Sequence, residues 1–339
     1  MRNNFDASFG TQGAAPGMIY NLQLLRGLAA LGVSFYHTDF QIVRGISTEF
    51  YGVSIFFAIS GFIITHVTRQ DSTGFLLKRL VRVVPLYWIA TAVFFVFTPD
   101  TWSHLLGSLL FVPADKPPVL RVGWTLNYEM FFYVVFGVGL AMSKRWAPLI
   151  ASVVLLLLQA VQHFAPCGPV CSTYGGRVTG FFVIGIALYY VWLAARLWMP
   201  PLRRTMKVVS AIVAGGVVTI CVAWHEPPAA VAFIIVTAVL LTALLAEASG
   251  LACRNRALLA LGGMSYSLYL THLMVIEPMR IVATRLPWLD QAQSVPVMLA
   301  SVGMSVLLAY LVYRFIETPM LAGFRAIIQM RRRPAPMAP

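Results

Sequence analysis

The sequence predicts an all-α fold, a polytopic integral membrane bundle of about ten transmembrane helices with both termini cytoplasmic. Three observations carry that expectation. The 339 residues are 59% hydrophobic and 11% charged, whereas soluble domains are about a quarter charged. Apolar stretches long enough to cross a bilayer recur along the whole chain. The basic residues segregate as well. With cytoplasmic termini, and with residues near span ends counted with the adjoining loops, 17 of the 25 Lys and Arg fall on the inner side, six fall on the outer side, and Arg26 and Arg314 are counted within spans. This is the positive-inside pattern. It accounts for the formal charge of +13 as topology, so no nucleic-acid partner is expected.

Taken in order, residues 1–19 are polar and read as a disordered cytoplasmic tail with no secretory signal peptide. Spans are expected near 20–40, 51–67, 80–98, 128–143, 147–164, 175–196, 207–224, 228–247, 258–279 and 295–317. Residues 20–320 then form one transmembrane domain, and 321–339 a basic cytoplasmic tail. The four cysteines are too few for a disulfide framework and too scattered for a zinc site. Cys167 and Cys171, in the outer loop PCGPVC, leave open a tight local disulfide.

The first span carries Arg26 and His37. Eleven residues at about 100° each return to the same helix face, and at about 1.5 Å per residue the two lie roughly 16 Å apart. One face thus presents a fixed cation and a titratable imidazole at two depths, the usual mark of a functional interior. An anchoring arginine with an interfacial histidine is the competing reading. In the second span Ser60 and Gly61 are small enough for close helix packing or for close approach of a ligand.

Arg79 and Arg82 open the third span at i, i+3 and share a face, with Lys78 beside them. Two guanidinium forks on one face suit phosphate; a membrane-anchoring basic cluster is the alternative. Residues 99–127 form the longest outer connection, whose short apolar piece Trp102–Val112 is expected to lie in the interface or re-enter. Glu129 is expected where that loop enters the fourth span, at the depth of His37, as either a functional acid or a helix N-terminal carboxylate. His104, His163 and His225 read as surface residues. In the ninth span His272 is either a core histidine or a second imidazole at the depth of His37. Arg314 and Glu317 read as an i, i+3 ion pair.

Five motifs stand in one order over residues 20–317: Arg26-x10-His37, GVSIFFAISGF at 52–62, Arg79-x-x-Arg82 before Pro85-Leu86-Tyr87, WTLNYE at 124–129, and SYSLYLTH at 265–272. Together they resemble the membrane-bound acyltransferase-three family, and the opening NLQLLRGLAALGVSFYH is similar to its ExoZ-type exopolysaccharide O-acetyltransferases. The resemblance implies transfer of an acyl group, usually acetyl from acetyl-CoA, to a hydroxyl of a surface or exported glycan, in the inner membrane of a bacterium and without a metal. It implies that Arg26 and His37 are catalytic and that Arg79 and Arg82 handle the donor. Some members carry an extra hydrolase-like domain after the bundle, and here the chain is expected to end before one.

Joined to the residue pattern, these expectations assign His37, Arg26 and Glu129 to catalysis. Arg79, Arg82, Lys78 and Ser60 are assigned to acyl-CoA, and Trp124, Asn127, Tyr128 and His272 to the acceptor or the oxyanion. Direct transfer and an acyl-histidine relay both stay open, as does a glycan-intermediate transporter without acyl transfer.

Overall fold

The computed structural model describes residues 18–38, 48–114, 116–165, 168–198, 203–223, 229–285 and 295–330. Most of the two expected tails, Cys167 and His225 lie outside them. The described residues contain helices and no strand. The helices are α1 (Tyr20–Tyr36), α2 (Thr48–Gln70), α3 (Phe75–Phe97), α4 (Trp102–Leu109), α5 (Trp124–Met142), α6 (Ala147–Phe164), α7 (Pro169–Tyr174), α8 (Gly180–Trp198), α9 (Arg203–Ala223), α10 (Ala229–Ala248), α11 (Arg256–Gly263), α12 (Ser265–Thr284), α13 (Val295–Val312) and α14 (Thr318–Met330).

Among the described residues seven helices are long and apolar enough to cross a membrane, or eight if α11 and α12, bent by 72°, count as one. The chain is a multi-pass membrane protein, and side chains such as Val138, Leu157 and Leu307 present its apolar outer surface. Two helices that the sequence reads as spans, α1 and α9, are not among these. α1 has only 17 residues and stops at Tyr36. Its polar residues are tolerated because it is enclosed by protein: α1 packs against α2, α10, α11, α12 and α13. Polar side chains on a helix so surrounded need not meet lipid. Residues 321–330, read from the sequence as tail, continue the bundle's last helix as α14.

α2 and α8 approach through glycine. A Cβ on Gly61 would stand 2.1 Å from the Phe182 carbonyl oxygen, and one on Gly185 1.9 Å from that of Ala58. Of the two readings of Gly61, close packing is the one realised.

The start of α1 is held from a distance. Its N-cap, Ile19, has no side-chain acceptor, so the first N–H groups need a partner elsewhere. Glu247 on α10 supplies it, accepting from the Tyr20 and Asn21 N–H groups at 2.7 Å each. The Asn21 amide donates to the Ala243 and Leu251 carbonyls at 3.0 Å and accepts from the Cys253 N–H at 2.9 Å. Glu247→Ala is expected to lower stability by about 1–2 kcal/mol, the usual worth of a helix cap. A clear drop in the thermal midpoint of purified protein checks this, and an unchanged midpoint refutes it.

The loop after α3 folds back on that helix. The Tyr87 hydroxyl donates to the Ser108 carbonyl at 3.1 Å, and the Trp88 indole to that of Leu109 at 2.9 Å. His104, read from the sequence as a surface residue, pins the loop: its ring nitrogens lie 2.9 Å from Asp100 Oδ2 and 3.0 Å from the Pro117 carbonyl. Hydrogen bonds from Lys116, the Thr101 N–H and His104 hold the Asp100 carboxyl well below the usual carboxylate range.

The expected Arg314–Glu317 pair is replaced by another arrangement. Between α13 and α14 the backbone makes a π turn, Tyr313–Glu317. The wider turn puts Arg314 on the surface and Glu317 in the interior, 2% exposed, where it accepts from the Ser267 hydroxyl. Cys171 is disulfide-bonded, and Cys253 is a free thiol.

Candidate active site

α1, α2, α3, α5 and α12 enclose a cavity of about 170 Å³. Arg26 enters it from α1, where its guanidinium donates to Gln23 Oε1 at 3.1 Å. Arg79 and Arg82 enter from α3, their i, i+3 spacing turning both toward the same space. Arg79 is buried, its guanidinium 6.0 Å from the centre of the Phe75 ring. The opposite charge comes from Glu129 on α5, which accepts from the Ser60 hydroxyl at 3.1 Å and from the Tyr133 hydroxyl. Three guanidinium groups and one carboxylate leave the lining cationic. Such a lining favours an anion with several oxygens, which forked donors can bind in pairs.

The structure thus brings together Arg26, Ser60, Arg79, Arg82 and Glu129. Lys78 is not among the lining residues. It pairs with Asp71 at 2.8 Å in the turn between α2 and α3. Consecutive helix residues diverge by about 100°, so Lys78 cannot share the face of its neighbour. Burial raises the Asp71 pKa, but the hydrogen bonds from Lys78 and Thr73 outweigh it and hold the carboxyl below its usual range.

Glu129 also departs from its expected place. A 3₁₀ turn at Arg121–Gly123 leads straight into α5. Glu129 therefore lies well inside a span covering Arg121–Met142, facing the Arg26 cavity, instead of at the entry of a span beginning near 128.

His37 follows the last turn of α1 as its C-cap. Its Nδ1 lies 2.9 Å from the Val33 carbonyl oxygen and 3.4 Å from Nε2 of His272, with ring centres 4.9 Å apart. His272 is 0% exposed, and its own Nδ1 lies 3.1 Å from the Leu268 carbonyl oxygen. The two imidazoles that sequence depth alone associated are in contact. α1 therefore carries two centres: a guanidinium-lined cavity around Arg26 and a histidine pair about 16 Å further along the axis.

Three acceptor candidates sit on the first turns of α5. Trp124 meets Tyr128 edge-on at 5.7 Å, and Tyr128 meets Tyr174 at 5.9 Å. Asn127 is buried, and its Oδ1 has no hydrogen-bond partner among the described residues. Sequence reading missed Tyr133 and His66 in the cavity lining. Tyr133 was findable, since it stands at i+4 from Glu129 on one face; nothing local marks His66. Among the described residues no group of three or more His, Cys, Asp or Glu could hold a metal ion.

Comparison with known proteins places these two centres in context. The sequence model of a family described as an acyltransferase domain matches residues 19–314, which contain both. The exopolysaccharide production protein ExoZ of Rhizobium meliloti (strain 1021) is 33% identical over 81% of this chain and 90% of its own length. The putative peptidoglycan O-acetyltransferase YrhL of Bacillus subtilis (strain 168) is 29% identical over 91% of this chain. The peptidoglycan O-acetyltransferase OatA of Listeria monocytogenes is 26% identical over 87% of it. The alignments cover 56% and 54% of those two longer proteins. No solved structure matches the chain. A family match across almost the whole bundle, with ExoZ aligned nearly end to end, shows that the chain belongs to this acyltransferase family and is a multi-pass membrane acyltransferase.

Proposed function

We propose that the chain is an O-acetyltransferase of a bacterial inner membrane, with ten spans and cytoplasmic termini. It moves an acetyl group from cytoplasmic acetyl-CoA to a hydroxyl of an exported or cell-surface glycan. One observation carries this reading: a cavity gathering Arg26, Arg79 and Arg82 lies on the same central helix as a contacting His37–His272 pair. The names of ExoZ, YrhL and OatA support the acceptor class.

In this reading Arg79 and Arg82 hold the donor phosphates through charge-assisted hydrogen bonds. Arg26 adds the third guanidinium. Ser60 and Glu129 form the facing wall, where the carboxylate keeps the cationic lining from repelling itself. The donor's flexible arm covers the roughly 16 Å from Arg26 to His37. His37 acts as general base on the acceptor hydroxyl, a task suited to an imidazole. Trp124 offers a ring face to the sugar. The Asn127 amide and the Tyr128 hydroxyl are the candidate donors to the oxyanion.

The test is release of free thiol from acetyl-CoA by protein in lipid nanodiscs, with and without a glycan extract, comparing wild type with Arg79→Ala. Losing one charged contact to phosphate is worth about 1.5–3 kcal/mol. Arg79→Ala is therefore expected to raise the acetyl-CoA KM by about 10–100-fold, with a smaller effect on kcat. A wild-type protein that neither binds acetyl-CoA nor releases thiol under any condition would sink the proposal and favour a glycan-intermediate transporter.

A further inference from the structure

The contacts of the two imidazoles decide where their protons sit. A backbone carbonyl oxygen can only accept a hydrogen bond. Nδ1 of His37 lies 2.9 Å from the Val33 oxygen, and Nδ1 of His272 lies 3.1 Å from the Leu268 oxygen. Each Nδ1 must therefore carry the hydrogen, since a lone pair there would face the lone pairs of a carbonyl. In a neutral ring this leaves the Nε2 nitrogen with the lone pair. The contact between the two rings fits the same assignment: the His272 Nε2 lone pair faces the His37 Nδ1–H at 3.4 Å. The opposite tautomers would keep that one contact and set two ring lone pairs against two carbonyls.

We infer that His272 is a positioning residue that holds His37 as its Nδ1–H tautomer, so that Nε2 of His37 is the basic nitrogen. The inference rests on the reading of His37 as the base of acyl transfer. His272 is fully buried within α12 and packs on His37, so it acts through that ring and not on the acceptor. The proton balance follows. The acceptor oxygen bonds to the thioester carbonyl carbon as its hydrogen passes to Nε2 of His37. The carbon–sulfur bond then breaks, and the departing thiolate takes that hydrogen back from Nε2. The products are an ester and a free thiol, and His37 returns to its starting tautomer. While His37 is charged, the His272 lone pair remains an acceptor for its Nδ1–H and stabilises the imidazolium, as an acceptor on the far nitrogen does in other histidine bases.

The experiment is nitrogen-15 NMR of histidine-labelled protein in nanodiscs, with the His37 signals assigned by their loss in His37→Ala. Wild type is expected to show His37 protonated at Nδ1. His272→Phe keeps a ring of similar size without an acceptor, and His272→Gln keeps an acceptor oxygen. The Phe variant is expected to show a mixture of His37 tautomers and a fall in kcat of about 10²-fold, with the acetyl-CoA KM unchanged, and the Gln variant to recover part of both. A wild-type His37 protonated at Nε2 would overturn the inference. So would a folded His272→Phe protein with the wild-type tautomer and kcat, or one altered only in the glycan KM. If His37→Ala keeps full activity, the reading of His37 as base fails, while the tautomer measurement still judges the role of His272.

Discussion

His37→Ala is expected to lower kcat for acetyl transfer by about 10²–10⁴-fold, the usual contribution of a positioned general base. The acetyl-CoA KM should stay close to the wild-type value. That split follows from the layout of α1. The guanidinium groups proposed to hold the donor lie around Arg26, about three helical turns from His37. Removing the imidazole leaves that lining intact. The alanine also leaves Arg26 on the same stretch of helix, so the loss belongs to the chemistry and not to the placement of α1. Thiol release, with mass measurement of the glycan product, reads both constants. Acetylation at the wild-type rate in the variant would refute His37 as base. Slow glycan-independent release that is also lost in the variant would point to an acyl-histidine relay.

The second large effect is expected far from any reacting atom. Gly185→Ala places a carbon 1.9 Å from the Ala58 carbonyl oxygen and 2.8 Å from the Phe62 amide nitrogen. Both are backbone atoms of α2, so no side chain can turn aside to make room. α2 and α8 must separate over a long shared seam, at a loss of about 3 kcal/mol or more. Activity should fall with stability, because Ser60 on α2 faces the cavity next to this seam. A control isolates the cause: Gly303 on α13 has nothing within 4 Å of its would-be Cβ. Gly303→Ala should therefore shift stability by no more than about 0.5 kcal/mol. Thermal melting and size-exclusion profiles of the two variants make the comparison. A Gly185→Ala protein as stable as wild type would mean that the seam is looser than its geometry indicates.

The sequence was most informative where one helix spoke for itself. The shared face of Arg26 and His37 and that of Arg79 and Arg82 follow from helical periodicity; in the structure Arg79 and Arg82 line one cavity together with Arg26, while His37 meets His272. Periodicity gives the direction of a side chain and not the neighbour it meets. Lys78 therefore looked like a third phosphate ligand until its face turned out to meet Asp71. Glu129 was placed at the wrong depth because a 3₁₀ turn extends its helix toward Arg121, and a hydropathy window cannot see such a start. Glu317 was given to Arg314 on α-helical spacing, which a π turn undoes. The contact between His37 and His272 spans 235 residues of sequence, and only the packing of α1 against α12 makes it.

The cap on α1 bears on how the protein is made. α1 precedes every other described helix in the chain, yet the carboxylate that satisfies its first N–H groups is 227 residues downstream of Tyr20. During synthesis it must wait in the membrane or at its edge with an open N-terminus and a buried-type arginine, until α10 emerges from the ribosome and docks. The helix proposed to carry the catalytic histidine is thus synthesised well before the carboxylate that caps it. A nascent chain stopped before α10 would present α1 without the acceptor for its first N–H groups.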